Sequence, residues 1–130
     1  ELLLFLSLLD GNSVRHPQQF SADISKRTQE VYQYIIENPF MKETIPDLAC
    51  MFGVAESSLK RCFKSIAGAS IGAFIKTKRM EAAAEMLISE STLSIGEVGS
   101  AAGYENQSKF SAAFKSVLGM TPQAYRHKYC

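Results

Sequence analysis

A repeated segment constrains this chain more strongly than any other feature of its sequence. Residues 45–64 and 95–115 share one pattern, in which a short amphipathic stretch is followed by a glycine and a second stretch. Four positions of the first segment correspond to positions 50 residues later, with Ile45, Leu48, Gly53 and Val54 matched by Ile95, Val98, Gly103 and Tyr104. After one inserted residue, a Phe-Lys pair and a tail of the form Gly-x-Ser/Thr-x-x-Ala-aromatic recur 51 positions later. Two copies in one register predict two similar units, each a pair of helices joined by a tight turn.

Helical periodicity and capping residues extend the helical prediction along the chain from residue 25 onwards. Asn38-Pro39 is predicted to end the first helix, because proline disfavours helical geometry at the residue before it. Ser70 is predicted to cap a long connecting helix. The predicted helices span residues 25–38, 46–52, 56–66, 71–89, 96–102, 107–118 and 122–125, and the third is expected to bury Leu59, Phe63 and Ile66.

These elements predict an all-α fold of about seven helices, with two helix-turn-helix subdomains joined by a long linker helix. The expected divisions are residues 24–69, 70–90 for the linker helix, and 91–130. Residues 1–23 are expected to be the tail of a missing N-terminal domain followed by a linker, with a docked helix as the alternative for the apolar stretch at 2–9. That stretch is too short for a membrane span and lacks the basic start of a signal peptide, so no membrane is expected.

The composition is that of an ordinary globular domain, with 46% hydrophobic and 21% charged residues. Residues 40–130 carry 11 basic and 8 acidic side chains, and this net charge of +3 suits a polyanionic partner. Cys50, Cys62 and Cys130 lack the paired spacing of a zinc site, so neither a metal nor another cofactor is expected. Reduced thiols of this kind are typical of a cytoplasmic protein.

A helix-turn-helix needs a small residue in its first helix, a glycine in the turn, and apolar side chains that anchor the second helix. Both segments supply all three features. The small residues are Ala49 and Gly99, the turn glycines are Gly53 and Gly103, and the anchors are Leu59, Phe63, Phe110 and Phe114. The polar residues between the anchors are expected to face outward on a helix that fits the ~12 Å major groove of DNA.

The outward-facing residues include side chains that are suited to reading bases. Lys60 and Arg61 can donate hydrogen bonds to guanine, and Gln107 can pair with adenine. The alternative for either copy alone is a solvated helix face, which the presence of a matched second copy disfavours. A linker helix of about nineteen residues spans about 28 Å. That length brings the two reading helices close to the ~34 Å of one DNA turn.

Five motifs carry a resemblance to a known family. They are Leu-Ala-x-x-Phe-Gly-Val at 48–54, Leu-x-x-x-Phe-Lys at 59–64, Arg-Met-x-x-Ala-x-x-Met-Leu at 79–87, Gly-Tyr-Glu-Asn-Gln-Ser-Lys-Phe-Ser-x-x-Phe-Lys at 103–115 and Gly-Met-Thr-Pro-x-x-Tyr-Arg at 119–126. Through them, residues 40–130 resemble the DNA-binding domain of the AraC/XylS transcription regulators, which has seven helices and two helix-turn-helix units.

The resemblance implies roles for particular side chains. Base contacts are implied for Ser57, Lys60 and Arg61 in the first unit and for Gln107, Ser108 and Ser111 in the second. Phosphate contacts are expected from Lys64, Arg79, Asn106 and Lys115, and for Arg79 the alternative is a role in setting the linker helix. The departures from the family pattern are the absence of a capping hydroxyl at Ala55, the small Ser57, Ala112 in place of a common arginine, and Gly99 in place of the usual alanine.

The resemblance also implies a bacterial, cytoplasmic and nucleoid-associated transcriptional activator. Its expected partners are double-stranded DNA and RNA polymerase, and an absent N-terminal domain would bind an effector ligand or dimerise. One alternative is a helical protein–protein adaptor, which should expose an apolar patch, whereas both expected reading faces are polar. Another alternative is an enzyme. We expect no catalysis, because His16 and His127 have no acidic or cysteine partner at a catalytic spacing.

Overall fold

The computed structural model describes residues 21–129, and within this range every regular element is an α-helix. The seven helices are α1 (Ala22–Glu37), α2 (Ile45–Met51), α3 (Glu56–Ala67), α4 (Ile71–Ser89), α5 (Ile95–Ala101), α6 (Gln107–Leu118) and α7 (Pro122–Tyr129). The predicted all-α class and the number of helices are confirmed. The expectations for the apolar stretch at 2–9, His16 and Cys130 lie outside the described residues. No helix in the described range has the length and apolar character needed to cross a membrane.

The predicted bounds of α4 and α6 match the structure, whereas those of α1 and α7 were too short. The Ser21 hydroxyl accepts a hydrogen bond from the Ile24 backbone amide, so α1 begins within the segment that was predicted to be linker. The predicted subdomain boundary at residue 24 therefore falls inside α1. Helix α7 continues four residues past its predicted end. Arg126 in its second half donates to the carbonyl of Leu87 in the last turn of α4 and to that of Leu93 after the helix.

Two hydrophobic cores divide the described residues into two units. The first unit comprises α1, α2 and α3, and the second comprises α5, α6, α7 and the second half of α4. Buried residues of the first core are Val31, Ile35, Met41, Leu48, Ala49, Leu59, Phe63 and Ile71, and those of the second are Met80, Ala83, Ala84, Leu87, Val98, Ala102, Phe110, Ala113 and Phe114. Helix α4 contributes to both cores, so it is the structural connection between the units.

One predicted core residue of α3 was assigned wrongly. Ile66 is 41% exposed. The buried stripe of this helix runs from Leu59 to Phe63 and on to Ala67, which packs against the first core. These residues are four positions apart and so lie on one face of the helix. Ile66 lies at the edge of that stripe.

The internal repeat is longer in the structure than in the sequence. Val31 and Ile35 of α1 occupy the first core much as Ala83 and Leu87, 52 positions later, occupy the second. The residues that end the two helices, Asn38 and Glu90, have nearly the same backbone angles, with φ of −133° and −120° and ψ of 63° and 65°. Each unit is therefore a three-helix arrangement, with the second half of α4 equivalent to α1.

Equivalent capping boxes begin α2 and α5. The Thr44 amide donates to Asp47 Oδ2 over 2.9 Å, and the Asp47 amide donates to the Thr44 hydroxyl over 3.3 Å. Ser94 and Glu97 make the same pair of bonds at 2.8 and 3.0 Å. The hydrogen bond from the Thr44 amide lowers the pKa of Asp47, so its stabilising effect is present above the ordinary carboxyl pKa and is lost as the pH falls through the lowered one.

Candidate nucleic-acid interface

The two turns between the paired helices have the same backbone structure. Gly53 and Gly103 have φ of +68° and +93°, in the left-handed region that residues with a Cβ adopt only at a cost. After each glycine the chain bonds back to the first helix of the pair, from the Val54 amide to Ala49 O at 3.0 Å and from the Tyr104 amide to Gly99 O at 2.9 Å. The predicted turn glycines thus occupy equivalent places that aim α3 and α6 in the same way.

The turn in the first unit is also held by a side chain from α1. Arg27 Nη1 donates to Phe52 O over 2.9 Å, while its Nε bonds to Asp23 over 2.9 Å. A Cβ at Gly53 would lie 2.7 Å from Arg27 Nη1. The glycine therefore leaves room for the arginine in addition to allowing the positive φ.

The close approach between paired helices differs between the units. In the second unit, a Cβ added to Gly99 would lie 2.9 Å from the ring of Phe110. In the first unit the equivalent positions hold Ala49 and the smaller anchor Leu59, and both are buried. In the second unit, the larger side chain of Phe110 occupies the space that a methyl group at position 99 would fill. This contact accounts for a glycine, and not an alanine, at position 99.

The outward face of α3 is polar and predominantly basic. Ser57, Lys60, Arg61 and Lys64 are all exposed. Glu56 forms a 3.0 Å ion pair with Lys60 one helical turn away, and so an acidic group accompanies the cations on this face. Beside it, a depression of about 370 Å³ extends to Ile71 and Gly72 at the start of α4. As predicted, Ala55 supplies no capping side chain for this helix.

The outward face of α6 is polar but carries fewer charges. Gln107, Ser108 and Lys115 are exposed, whereas Ser111 is half-buried. Asn106 begins the helix, because its Oδ1 accepts from the Ser108 and Lys109 amides at 2.8 and 3.2 Å. A Cβ at Gly96 would lie 3.3 Å from Gln107 Oε1, so the start of α5 borders this side chain.

One exposed cation of α6 is absent from the predicted contact residues. Lys109 is exposed and lies directly before the buried anchor Phe110. The equivalent position in the first copy, Ser58, is half-buried and uncharged. Lys109 could have been identified from its exposed position on the predicted helix alone, without reference to the repeat.

Arg79 lies on α4, away from both reading helices in sequence. Its Nε donates to Pro39 O over 3.2 Å and its Nη2 donates to Met41 O over 2.7 Å. The side chain is half-buried against the segment between α1 and α2. These bonds support the expected role in setting the linker helix, while a phosphate contact by Arg79 remains a prediction.

A model of a helix-turn-helix domain family matches residues 48–128, which is more than half of the chain. A putative AraC-like transcription regulator of Streptomyces lividans is 35% identical over 89 residues, 68% of this chain and 29% of that protein. The chain belongs to the AraC/XylS family of transcription regulators. The predicted resemblance is confirmed.

Solved structures of AraC-type domains have the same fold. The C-terminal domain of AraT, a response regulator from Geobacillus stearothermophilus, is 30% identical with a TM-score of 0.66, covering 85% of this chain and 88% of that one. The DNA-binding domain of AdpA, crystallised with a target DNA, is 25% identical with a TM-score of 0.72, covering 79% and 92%. The chain spans only about a fifth to two fifths of the curated relatives it matches, with 19% and 37% as examples.

Proposed function

We propose that this AraC-type domain binds double-stranded DNA in a sequence-specific manner, with α3 and α6 in successive major grooves. The observation that carries the proposal is the equivalence of the two units. Each presents the exposed polar face of one helix from the same glycine turn, and the 19-residue α4 connects them. At 1.5 Å per residue α4 is about 28 Å long, which approaches the ~34 Å between successive grooves on one face of the duplex.

Each reading helix is assigned both base and phosphate contacts. For base contacts we propose Ser57, Lys60 and Arg61 from α3 and Gln107, Ser108 and Ser111 from α6. For phosphate contacts we propose Lys64, Asn106 and Lys115, and we add Lys109 because it is exposed at the start of α6. In this arrangement Glu56 competes with DNA for Lys60, since their ion pair must loosen before the ammonium group can reach a base.

The wider role of the protein is part of the same proposal. We propose a cytoplasmic, nucleoid-associated activator that contacts RNA polymerase and is controlled by an N-terminal domain that senses an effector or dimerises. Support comes from the names of relatives, such as the F1 operon positive regulatory protein of Yersinia pestis, which is 33% identical over 97 residues. The length of these relatives supports the additional domain, because this chain spans 32% of that protein.

Substituting one cation on each reading helix separates base reading from charge attraction. We expect Arg61→Ala to lose about 1–3 kcal/mol of discrimination at one base pair, because a guanidinium group can bond to both acceptors of a guanine. We expect Lys115→Ala to weaken binding to every sequence evenly. The slope of the logarithm of the binding constant against the logarithm of the salt concentration should become shallower by about one. Binding titrations with a selected site and with a scrambled duplex, across a salt series, measure both effects.

Lys26→Ala is the matched control, because Lys26 is an exposed lysine on α1 outside both reading helices. It should alter neither the sequence preference nor the salt slope. Equal losses on specific and scrambled duplexes in Arg61→Ala would remove the base contact assigned to that residue. Equal binding of both duplexes by the unsubstituted protein would contradict sequence-specific recognition, and binding of neither duplex would favour the adaptor alternative.

A further inference from the structure

Two arginines hold equivalent turns in the two units. Residues 38–41 and 90–93 form the same turn after α1 and α4, since the Met41 amide bonds to Asn38 O and the Leu93 amide to Glu90 O, both over 3.0 Å. Arg79 donates hydrogen bonds to two carbonyl groups of the first turn, over 3.2 Å to Pro39 O and 2.7 Å to Met41 O. Arg126 donates a hydrogen bond to the second turn, over 2.6 Å to Leu93 O.

The two arginines differ in the part of the molecule that carries them. Arg126 lies on α7 and bonds within its own unit, to carbonyl groups at the end of α4 and just after it. Arg79 lies in α4 directly before Met80, which is fully buried in the second core. Its two hydrogen bonds therefore connect the middle of α4, next to the second core, to the turn of the first unit.

The turn that receives Arg79 lies at the junction of the two cores. Met41 is buried in the first core, whereas the preceding residue, Phe40, packs against the second core. Neighbouring residues of one short segment thus contact both units. Arg79 binds the backbone on both sides of Phe40, so it fixes the place where the units meet.

We propose that Arg79 is a positioning residue that sets the separation of α3 and α6, and with it the spacing between the two DNA half-sites that the protein accepts. This inference rests on the proposed function, because it concerns how the same two helices meet one duplex. A guanidinium group offers several donors in a fixed planar fork and can bind two carbonyl groups at once. Lysine keeps the charge but has no such fork, so Arg79→Lys separates geometry from charge.

The first experiment measures spacing selectivity. A site selected from random DNA is compared with versions in which one base pair is added or removed between its halves. We expect the wild-type protein to prefer the selected spacing, and Arg79→Ala and Arg79→Lys to lose about tenfold in affinity for it, as expected when charge-assisted hydrogen bonds are lost. Both variants should also bind the three spacings more evenly than the wild type does.

The control is Arg126→Ala, which removes the equivalent clamp without affecting the junction. It should lower affinity at all spacings while leaving their ratio unchanged. A phosphate contact gives a different result for Arg79. The salt slope would fall by about one ion in Arg79→Ala, Arg79→Lys would retain affinity, and spacing selectivity would persist. That pattern, or unchanged selectivity in both variants, overturns the proposal.

A second measurement needs no DNA and so distinguishes failure of this inference from failure of the proposed function. Backbone ¹⁵N relaxation reports how each unit tumbles. We expect one rotational correlation time for the wild type and separate times for the two units in Arg79→Lys, with circular dichroism showing unchanged helix content. A common correlation time in Arg79→Lys overturns the inference, even if the protein binds DNA. Absence of specific binding by the wild type rejects the proposed function alone.

Discussion

Inserting five base pairs between the two half-sites of a selected operator is expected to lower the affinity of this protein by about 100-fold or more. Five base pairs rotate one half-site by about half a turn, to the opposite face of the duplex. Only one of α3 and α6 can then reach its bases. Each base pair that differs from the preferred site costs about 1–3 kcal/mol of binding free energy. Losing the contacts to two base pairs therefore suffices for this effect. Titration of labelled duplexes by fluorescence anisotropy measures the change.

An insertion of ten base pairs provides the matched comparison. It restores the face of the second half-site but moves it about 34 Å farther away. Because α4 is one continuous helix, we expect the affinity to remain as low as with five base pairs. Recovery of affinity at ten base pairs would indicate a flexible connection or two separate molecules on the DNA, and would contradict reading by a rigid monomer.

Gly99→Ala is expected to destabilise the second unit by about 1–3 kcal/mol, the range for forcing an extra methyl group into a packed core. The added Cβ would lie 2.9 to 3.2 Å from three carbon atoms of Phe110, which is itself fully buried between α5 and α6. The ring cannot retreat without disturbing the contacts that anchor α6. Chemical denaturation, followed by circular dichroism, measures the loss in unfolding free energy.

A second substitution identifies the cause of that loss. Phe110→Leu in the Gly99→Ala background reproduces the alanine and leucine pair found at Ala49 and Leu59 in the first unit, and should restore part of the stability. Gly72→Ala is the control, since a Cβ there would meet nothing within 4 Å. It should stabilise the protein by about 0.4–1 kcal/mol, because alanine restricts the unfolded chain. Equal effects of the two Gly→Ala substitutions would contradict the packing explanation.

The paired helices could be predicted from the sequence because local signals define them. The turn glycines, the capping residues and the apolar anchors lie within a few residues of the elements they shape. The equivalence of α1 and α4 was not predicted, because the matching positions of the two helices are alike in burial but differ in residue type. Thr28 and Val31 correspond to Met80 and Ala83, and so the repeat leaves almost no trace in the sequence.

The exposed residues of the candidate interface followed from helical periodicity, but the long-range contacts did not. Arg79 bonds to groups 38 and 40 residues away, and Arg126 to groups 33 and 39 residues away. No local pattern predicts which backbone carbonyl an arginine will reach. The extension of α7 to Tyr129 and the junction at Phe40 depend on the same tertiary packing, which only the folded chain reveals.

Protection of guanine N7 from methylation along a selected operator tests whether one molecule reads two major grooves, because this atom lies in the major groove. If one molecule places α3 and α6 in successive major grooves, a single bound monomer should protect two clusters of guanines about 10 base pairs apart, on one face of the duplex. Protection of one cluster only, or of two clusters on opposite faces, would show that α3 and α6 of one molecule do not bind successive major grooves.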